Sequence, residues 1–171
     1  QTVYVKVGGK PGGGIGNYEL AVTSDRIAAG DDYADTLRLA LKEQSSLLSL
    51  VDGSGSVEGS INRTDDIDLF RLVVPSNGRF EILVKASGGL NPRLDLLDAT
   101  GRLVAGDDAG GQGVDAFISR VLTGGDQIFL KIQGLSDTMG GYSLEFRPFQ
   151  TVGQTIPDDV GDSVEEARAL N

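Results

Sequence analysis

Through the middle of the chain, apolar and polar side chains alternate in short runs. Ile67 and Leu69, Phe70 and Leu72, then Phe80, Ile82 and Val84 recur with the two-residue period of half-buried strands, and Pro75-Ser76-Asn77-Gly78 stands between them as a turn. Leu94-Asp95-Leu96-Leu97-Asp98 runs into the turn Ala99-Thr100-Gly101, and Leu103-Val104 resumes a strand. Phe117-Ile118 and Val121-Leu122 give another short strand before Thr123-Gly124-Gly125-Asp126, and strands over Ile128–Ile132 and Tyr142–Phe146 follow. Seven or eight short strands at this spacing predict an all-β fold, an antiparallel β-sandwich with its core between two sheets. One stretch breaks the pattern. From Asp35 or Thr36 through Leu37, Leu39, Ala40, Leu41 and Lys42 the period is helical, and a short helix or turn is predicted there, between consecutive sandwiches.

The same patterns occur more than once. Val3-Tyr4-Val5-Lys6-Val7 corresponds to Ile128-Phe129-Leu130-Lys131-Ile132, 125 positions on, and Tyr18 in Asn17-Tyr18-Glu19-Leu20 corresponds to Tyr142, 124 positions on. Asp31-Asp32-Tyr33-Ala34-Asp35-Thr36 corresponds to Asp158-Asp159-Val160-Gly161-Asp162-Ser163, 127 positions on. Unrelated motifs at nearly the same spacing point to a repeat of about 125 residues, the alternative being one ordinary domain with a decorated N-terminal strand pair. The expected organisation is one complete repeat with partial flanking repeats: residues 1–24 as the last hairpin of a preceding unit, 25–150 as a full unit, and 151–171 as a linker and the start of a third. In that third unit Asp162 and Glu165 resemble a capping box at the head of a second short helix ending at Leu170. A lone hairpin is marginal in water, so the intact protein is expected to be longer, or to pair with copies of itself.

Composition narrows the chemistry. With Lys and Arg at 15 against Asp and Glu at 25, the formal charge is −10, which repels nucleic acid and anionic membranes. No apolar run is long enough for a membrane-spanning helix, so no membrane insertion is expected. The 171 residues contain neither cysteine nor histidine, which removes disulfides, thiolate nucleophiles, imidazole bases and Ser-His-Asp triads. The glycine-rich run from Gly8 to Gly16 lacks the Gly-Lys-Ser/Thr ending of a phosphate loop, has no helix after it, and reads as a hairpin loop.

Three acidic groups remain: Asp31, Asp32 and Asp35; Asp65, Asp66 and Asp68; and Asp107 with Asp108. Carboxylates this dense repel one another unless a cation or hydrogen-bond donors offset them. Calcium, which takes six to eight oxygens, suits such groups, while aspartates that merely cap turns are the plain alternative, most of all for Asp107-Asp108 before Gly110-Gly111. A glycosidase pair would need two acids facing across a sugar cleft, which nothing in the sequence supplies.

Five motifs in order carry a family resemblance. Gly59-Ser60-Ile61 followed by Asp66-Ile67-Asp68-Leu69-Phe70-Arg71-Leu72, then Asn91-Pro92 through Gly101, Ala105 through Gly111, and Gly141-Tyr142-Ser143-Leu144, together resemble the bacterial pre-peptidase C-terminal domain. The resemblance covers roughly residues 31–147. It implies a jelly-roll-like β-sandwich of secreted proteins, often appended to peptidases and often repeated in surface proteins. Some relatives, including collagen-binding domains of clostridial collagenases, bind calcium through an acidic leader and aspartates at the first core strand. Those positions match Asp32, Asp35, Asp66 and Asp68, although aspartates here replace a run of glutamate and asparagine in the leader. Asp31, Asp107 and Asp108 are weaker candidates.

The expected function is that of a non-enzymatic, extracellular or cell-surface repeat module, giving structure and domain-to-domain assembly in a fibre or surface protein, with calcium at the leaders. Its partners would be neighbouring repeats or copies of the same protein. The alternative is an accessory domain that anchors a secreted hydrolase to extracellular protein or polysaccharide. Aromatics exposed on one sheet face would favour the alternative.

Overall fold

A computed structural model describes residues 29–150 together with Gly16, Asn17 and Ile27. The hairpin expected over 1–24 (Gly16 and Asn17 apart) and the leader and helix expected over 151–171 lie outside the described residues. A four-residue helix, α1 (Leu37–Ala40), precedes eight strands: β1 (Gly55–Ile61), β2 (Ile67–Val73), β3 (Gly78–Ala86), β4 (Pro92–Leu97), β5 (Leu103–Asp107), β6 (Ala116–Leu122), β7 (Gln127–Gly134) and β8 (Gly140–Pro148). They form two four-stranded sheets, ordered β1-β8-β3-β6 and β2-β7-β4-β5, with antiparallel neighbours throughout. The first strand thus pairs with the last and the second with the seventh, the strand order of a jelly roll.

Alternation along β3 and β8 decides what enters the space between the sheets. Phe80, Ile82 and Val84 enter it beside Leu144 and Phe146 of the neighbouring strand, and the rings of Phe80 and Phe146 stack with centroids 4.9 Å apart. The outward positions carry ion pairs, Lys85 with Glu145 and Arg147 with Glu81, as expected of a solvated face.

The second sheet is covered on its inner face and, over part of β2, β7 and β4, on its outer face as well. Phe70, Leu72, Leu94, Leu96, Leu130 and Ile132 enter the main core, while Leu69, Leu97 and Phe129 point outward into a second cluster with Ala34, Leu39 and Ala40. Residues 31–48 therefore lie against this sheet and do not stand clear of it. The free edge of β2 is partly paired: Leu69 donates to the Ala34 carbonyl at 3.0 Å, and Arg71 donates to the Ser46 carbonyl at 2.7 Å. A leader laid along an edge strand hides hydrogen-bonding groups that would otherwise invite another chain.

Helix α1 is shorter than the sequence pattern predicts. Thr36 caps it, its hydroxyl accepting from the Leu39 amide at 3.3 Å, and the helix ends at Ala40 with Leu41 as C-cap. Arg71 donates from Nε to the Ala40 carbonyl at 2.8 Å, satisfying one carbonyl of the helix end.

Candidate metal centre

The leader meets the sandwich at the turn between β1 and β2, and five aspartates converge there. Backbone pairing places them. Ala34 sits opposite Leu69, which sets Asp31, Asp32 and Asp35 beside the start of β2. On β2, Phe70 and Leu72 face the main core, so Asp68, two residues earlier, faces the same interior at its end. Asp66 closes the turn.

Each of the five carboxylates is held by one oxygen. Asp31 and Asp35 each use Oδ2 to accept from Arg63, at 2.9 and 2.5 Å. Asp32 Oδ2 accepts from the Ser60 amide at 2.8 Å, and Asp66 Oδ2 from the Asn62 amide at 2.7 Å. Asp68 Oδ2 accepts from the Tyr142 hydroxyl at 2.5 Å. The second oxygen of every one, Oδ1 of Asp31, Asp32, Asp35, Asp66 and Asp68, is buried without a hydrogen-bond partner. Asp66 and Asp68 are 1% and 0% exposed, so these oxygens are out of reach of bulk water. Left ionised and uncompensated, the orphaned oxygens of the buried pair Asp66 and Asp68 would cost several kcal/mol each.

The electrostatics register that cost. Burial, and after it the charges of Asp32, Asp66 and Asp31, push the Asp68 carboxyl up to about 8 against the pull of the Tyr142 hydrogen bond. Asp35 and Asp66 are also raised, burial being the largest cause for both. Tyr142 is raised far above the usual phenol range by burial first and by Asp68 second, so it stays a proton donor to that carboxylate.

This arrangement can hold a hard cation. Asp31, Asp66 and Asp68 each offer an oxygen within 4.8 Å of the others, a spacing compatible with calcium–oxygen distances of about 2.3–2.6 Å. The donors on the opposite oxygens do what the outer shell of a metal site does, fixing each carboxylate's orientation. Asp31, a weaker candidate in the sequence, belongs to this closest trio, and Asp32 and Asp35 border it with their own orphaned oxygens.

Asp107 and Asp108 are not brought to this centre. They lie at the end of β5, on the opposite edge of the sheet from β2. Asp107 Oδ2 accepts from the amides of Ala109, Gly110 and Phe117 at 3.1, 2.7 and 2.9 Å. Burial acts to raise its carboxyl, but these amides outweigh it and hold the group below the usual carboxylate range. Asp108 is exposed.

Three members of the centre are not among the site residues expected from the sequence. Arg63 is an ordinary turn residue until the fold sets it among four carboxylates. Tyr142 reads as a core residue, which at 4% exposed it is, yet its hydroxyl also orients Asp68. Gly59 sits opposite Tyr142 in β1, where a Cβ would strike the Tyr142 hydroxyl and ring and lie 2.9 Å from the Tyr33 ring. Gly59→Ala is expected to cost about 1–3 kcal/mol by forcing that phenol off Asp68, read from urea unfolding; a cost near zero would mean the ring has room to move.

No family model and no curated protein matches the chain. Among solved structures, it is similar to the pre-peptidase C-terminal domain of a collagenase from Bacillus anthracis, at 17% identity and a TM-score of 0.48, covering 59% of this chain and 90% of that one. It is also similar to a periplasmic inhibitor of g-type lysozyme from Aeromonas hydrophila, at 14% identity and a TM-score of 0.45, over 59% of this chain and 92% of that one. The Yersinia pseudotuberculosis-derived mitogen gives 14% identity and a TM-score of 0.45, over 61% of this chain and 93% of that one.

Proposed function

We propose that the chain is a non-catalytic extracellular module in which calcium fastens an acidic leader to a jelly-roll sandwich, as one unit of a larger bacterial surface or fibre-forming protein. The observation that carries this reading is the set of five buried carboxylate oxygens with no partner, each on an aspartate whose other oxygen is held. Asp31, Asp66 and Asp68 would hold the ion, with Asp32 and Asp35 beside them. Calcium would cancel the clustered charge and tie two segments that are distant in sequence. Residues 31–35 are bound to the sandwich through this centre, through the small apolar cluster under α1, and through Tyr33, whose ring centroid lies 4.5 Å from that of Phe70 and whose hydroxyl donates to the Glu58 carbonyl at 2.6 Å. Calcium would therefore add to the rigidity with which whatever precedes the sandwich is joined to it. Extracellular calcium modules work at about 10⁻⁴–10⁻³ M, which fits a location outside the cell.

The anchoring alternative gains no support from the surface. Among the described residues, Phe149 is the one exposed aromatic, and no sheet face gathers several. Among them, too, no helix is long and apolar enough to cross a membrane.

The direct test is calorimetric titration of calcium into chelator-stripped protein, with Asp68→Asn beside the wild type. The wild type should take up calcium, and the variant should bind at least about 100-fold more weakly, because it loses a charged ligand while keeping an acceptor for Tyr142. In chelator the variant should be as stable as the wild type or more so, since it removes a buried carboxyl whose charge is disfavoured. No heat of calcium binding to the wild type would end the proposal. Tryptic cutting after Arg38 or Lys42, slowed by calcium and restored by chelator, would place the effect in the leader.

A further inference from the structure

One cation already sits at the centre. Arg63 donates from Nη1 to Asp31 at 2.9 Å and from Nη2 to Asp35 at 2.5 Å, and its Nε lies 3.1 Å from Asp65. Its Nη2 is 3.4 Å from Asp66 Oδ1 without a hydrogen bond to it. The guanidinium thus spans both halves of the site, the leader through Asp31 and Asp35 and the β1–β2 turn through Asp65 and Asp66. It engages the carboxylates from one side only. On Asp31 and Asp35 it takes Oδ2 and leaves Oδ1 orphaned, and Asp32 and Asp68 it does not touch. A single positive charge faces five carboxylates that each keep one buried, unpartnered oxygen, enough to hold the leader in place and too little to neutralise the site.

We propose that Arg63 is a tethered counter-ion that sets the calcium affinity of this centre, weakening it while keeping the leader docked when calcium is withdrawn. This rests on the calcium reading above. The physical argument has two parts. A divalent ion entering among Asp31, Asp66 and Asp68 is repelled by a fixed positive charge bonded to one of those carboxylates and in ion-pair range of another. That shifts binding towards higher calcium concentration. In the metal-free protein the same charge offsets part of the repulsion between the leader and the turn, and a planar fork is suited to bridging two carboxylates where an ammonium is not. The centre would then act as a switch between two docked states, guanidinium alone and guanidinium with calcium, and need not come apart when empty.

The test compares Arg63→Gln and Arg63→Lys with wild type in the full chain, titrated with calcium chloride and melted in excess EGTA. Arg63→Gln should bind calcium about tenfold or more tightly and melt lower in EGTA, so that its calcium-induced rise in Tm is larger than that of the wild type. Arg63→Lys, which keeps the charge and loses the fork, should stay within about twofold of the wild-type Kd while also melting lower in EGTA. If Arg63→Gln does not fold without calcium, the off-rate from calcium-loaded protein mixed with a fluorescent chelator gives the same answer, with slower release expected. A folded Arg63→Gln that binds calcium no better than wild type overturns the proposal, as does Arg63→Lys tightening as much as Arg63→Gln. If neither the wild type nor the variants take up calcium, the calcium reading itself has failed, a result distinct from calcium binding that ignores residue 63.

Discussion

In excess calcium at pH 7.5 the protein is expected to melt about 10 °C higher than in excess EGTA. An ion at about 100 times its Kd stabilises the folded form by ~2.7 kcal/mol, and each kcal/mol moves the Tm of a domain this size by roughly 3–4 °C. The gap should also depend on pH in a defined direction. In the metal-free protein the Asp68 carboxyl is raised from its ordinary value to about 8, chiefly by burial. A group whose pKa is higher folded than unfolded favours the fold fully below its unfolded value, about 4, and that contribution is lost as pH rises through the folded value. Asp35 and Asp66, also raised, act in the same direction. Asp98 and Asp107, held low, act oppositely, but what they contribute is lost only as pH falls towards their depressed values. The Tm in EGTA should therefore drift down between about pH 5 and pH 8. The Tm in calcium should hold, because the ion binds the deprotonated carboxylates. Scanning calorimetry at several pH values reads both curves. Parallel curves, or a gap that closes as pH rises, would show that Asp68 and its neighbours do not hold the ion.

Phe129→Ala is expected to cost about 3–5 kcal/mol and to weaken calcium binding from a distance. Phe129 is fully buried on the outer face of the second sheet, clustered with Leu39, Ala40, Leu69 and Leu97. The ring faces away from the space between the sheets, so its loss leaves the main core intact and empties the cluster that holds the leader down. Asp31 and Asp35 reach the centre only when residues 31–40 are docked. Urea unfolding in calcium gives the stability, and calorimetry gives the Kd. Lost stability with an unchanged Kd would mean that the leader's position at the site does not depend on its apolar contacts.

The sandwich was legible where one face of a strand is wet. Phe80, Ile82 and Val84 on β3 and Leu144 and Phe146 on β8 alternate with polar residues and assign themselves to the core. Strand β1 was hidden as a pattern, because Val57 and Ile61 are its only large apolar residues and Gly55 and Gly59 interrupt it. Strands β2 and β7 were legible as strands but not in their packing. Leu69 beside Phe70, and Phe129 beside Leu130, carry bulk on both faces, a sign that something covers the outer one. The leader helix is shorter than its apolar period predicts, and its docking is not readable from that period, because which surface a short helix covers is decided by tertiary contacts. At the site, sequence pointed to the aspartates through their density. It gave no indication that Arg63 and Tyr142 would share their oxygens, since 28 positions separate Arg63 from Asp35 and 74 separate Tyr142 from Asp68.

The pairing of β1 with β8 also fixes where the chain comes in and where it goes out. Gly30 is tied to Asn62 just beyond the end of β1 that lies opposite Gly140, whereas Pro148 ends β8 near the start of β1. Entry and exit thus lie at opposite ends of the strands, separated by roughly 26 Å at about 3.3 Å per residue over β8. Tension applied through these two points would run lengthwise down the sandwich and slide strands past one another, the direction in which rows of hydrogen bonds must yield together. It would enter the sandwich at Asp31 and Asp32, so the carboxylate centre is also the buckle that such a pull would test first.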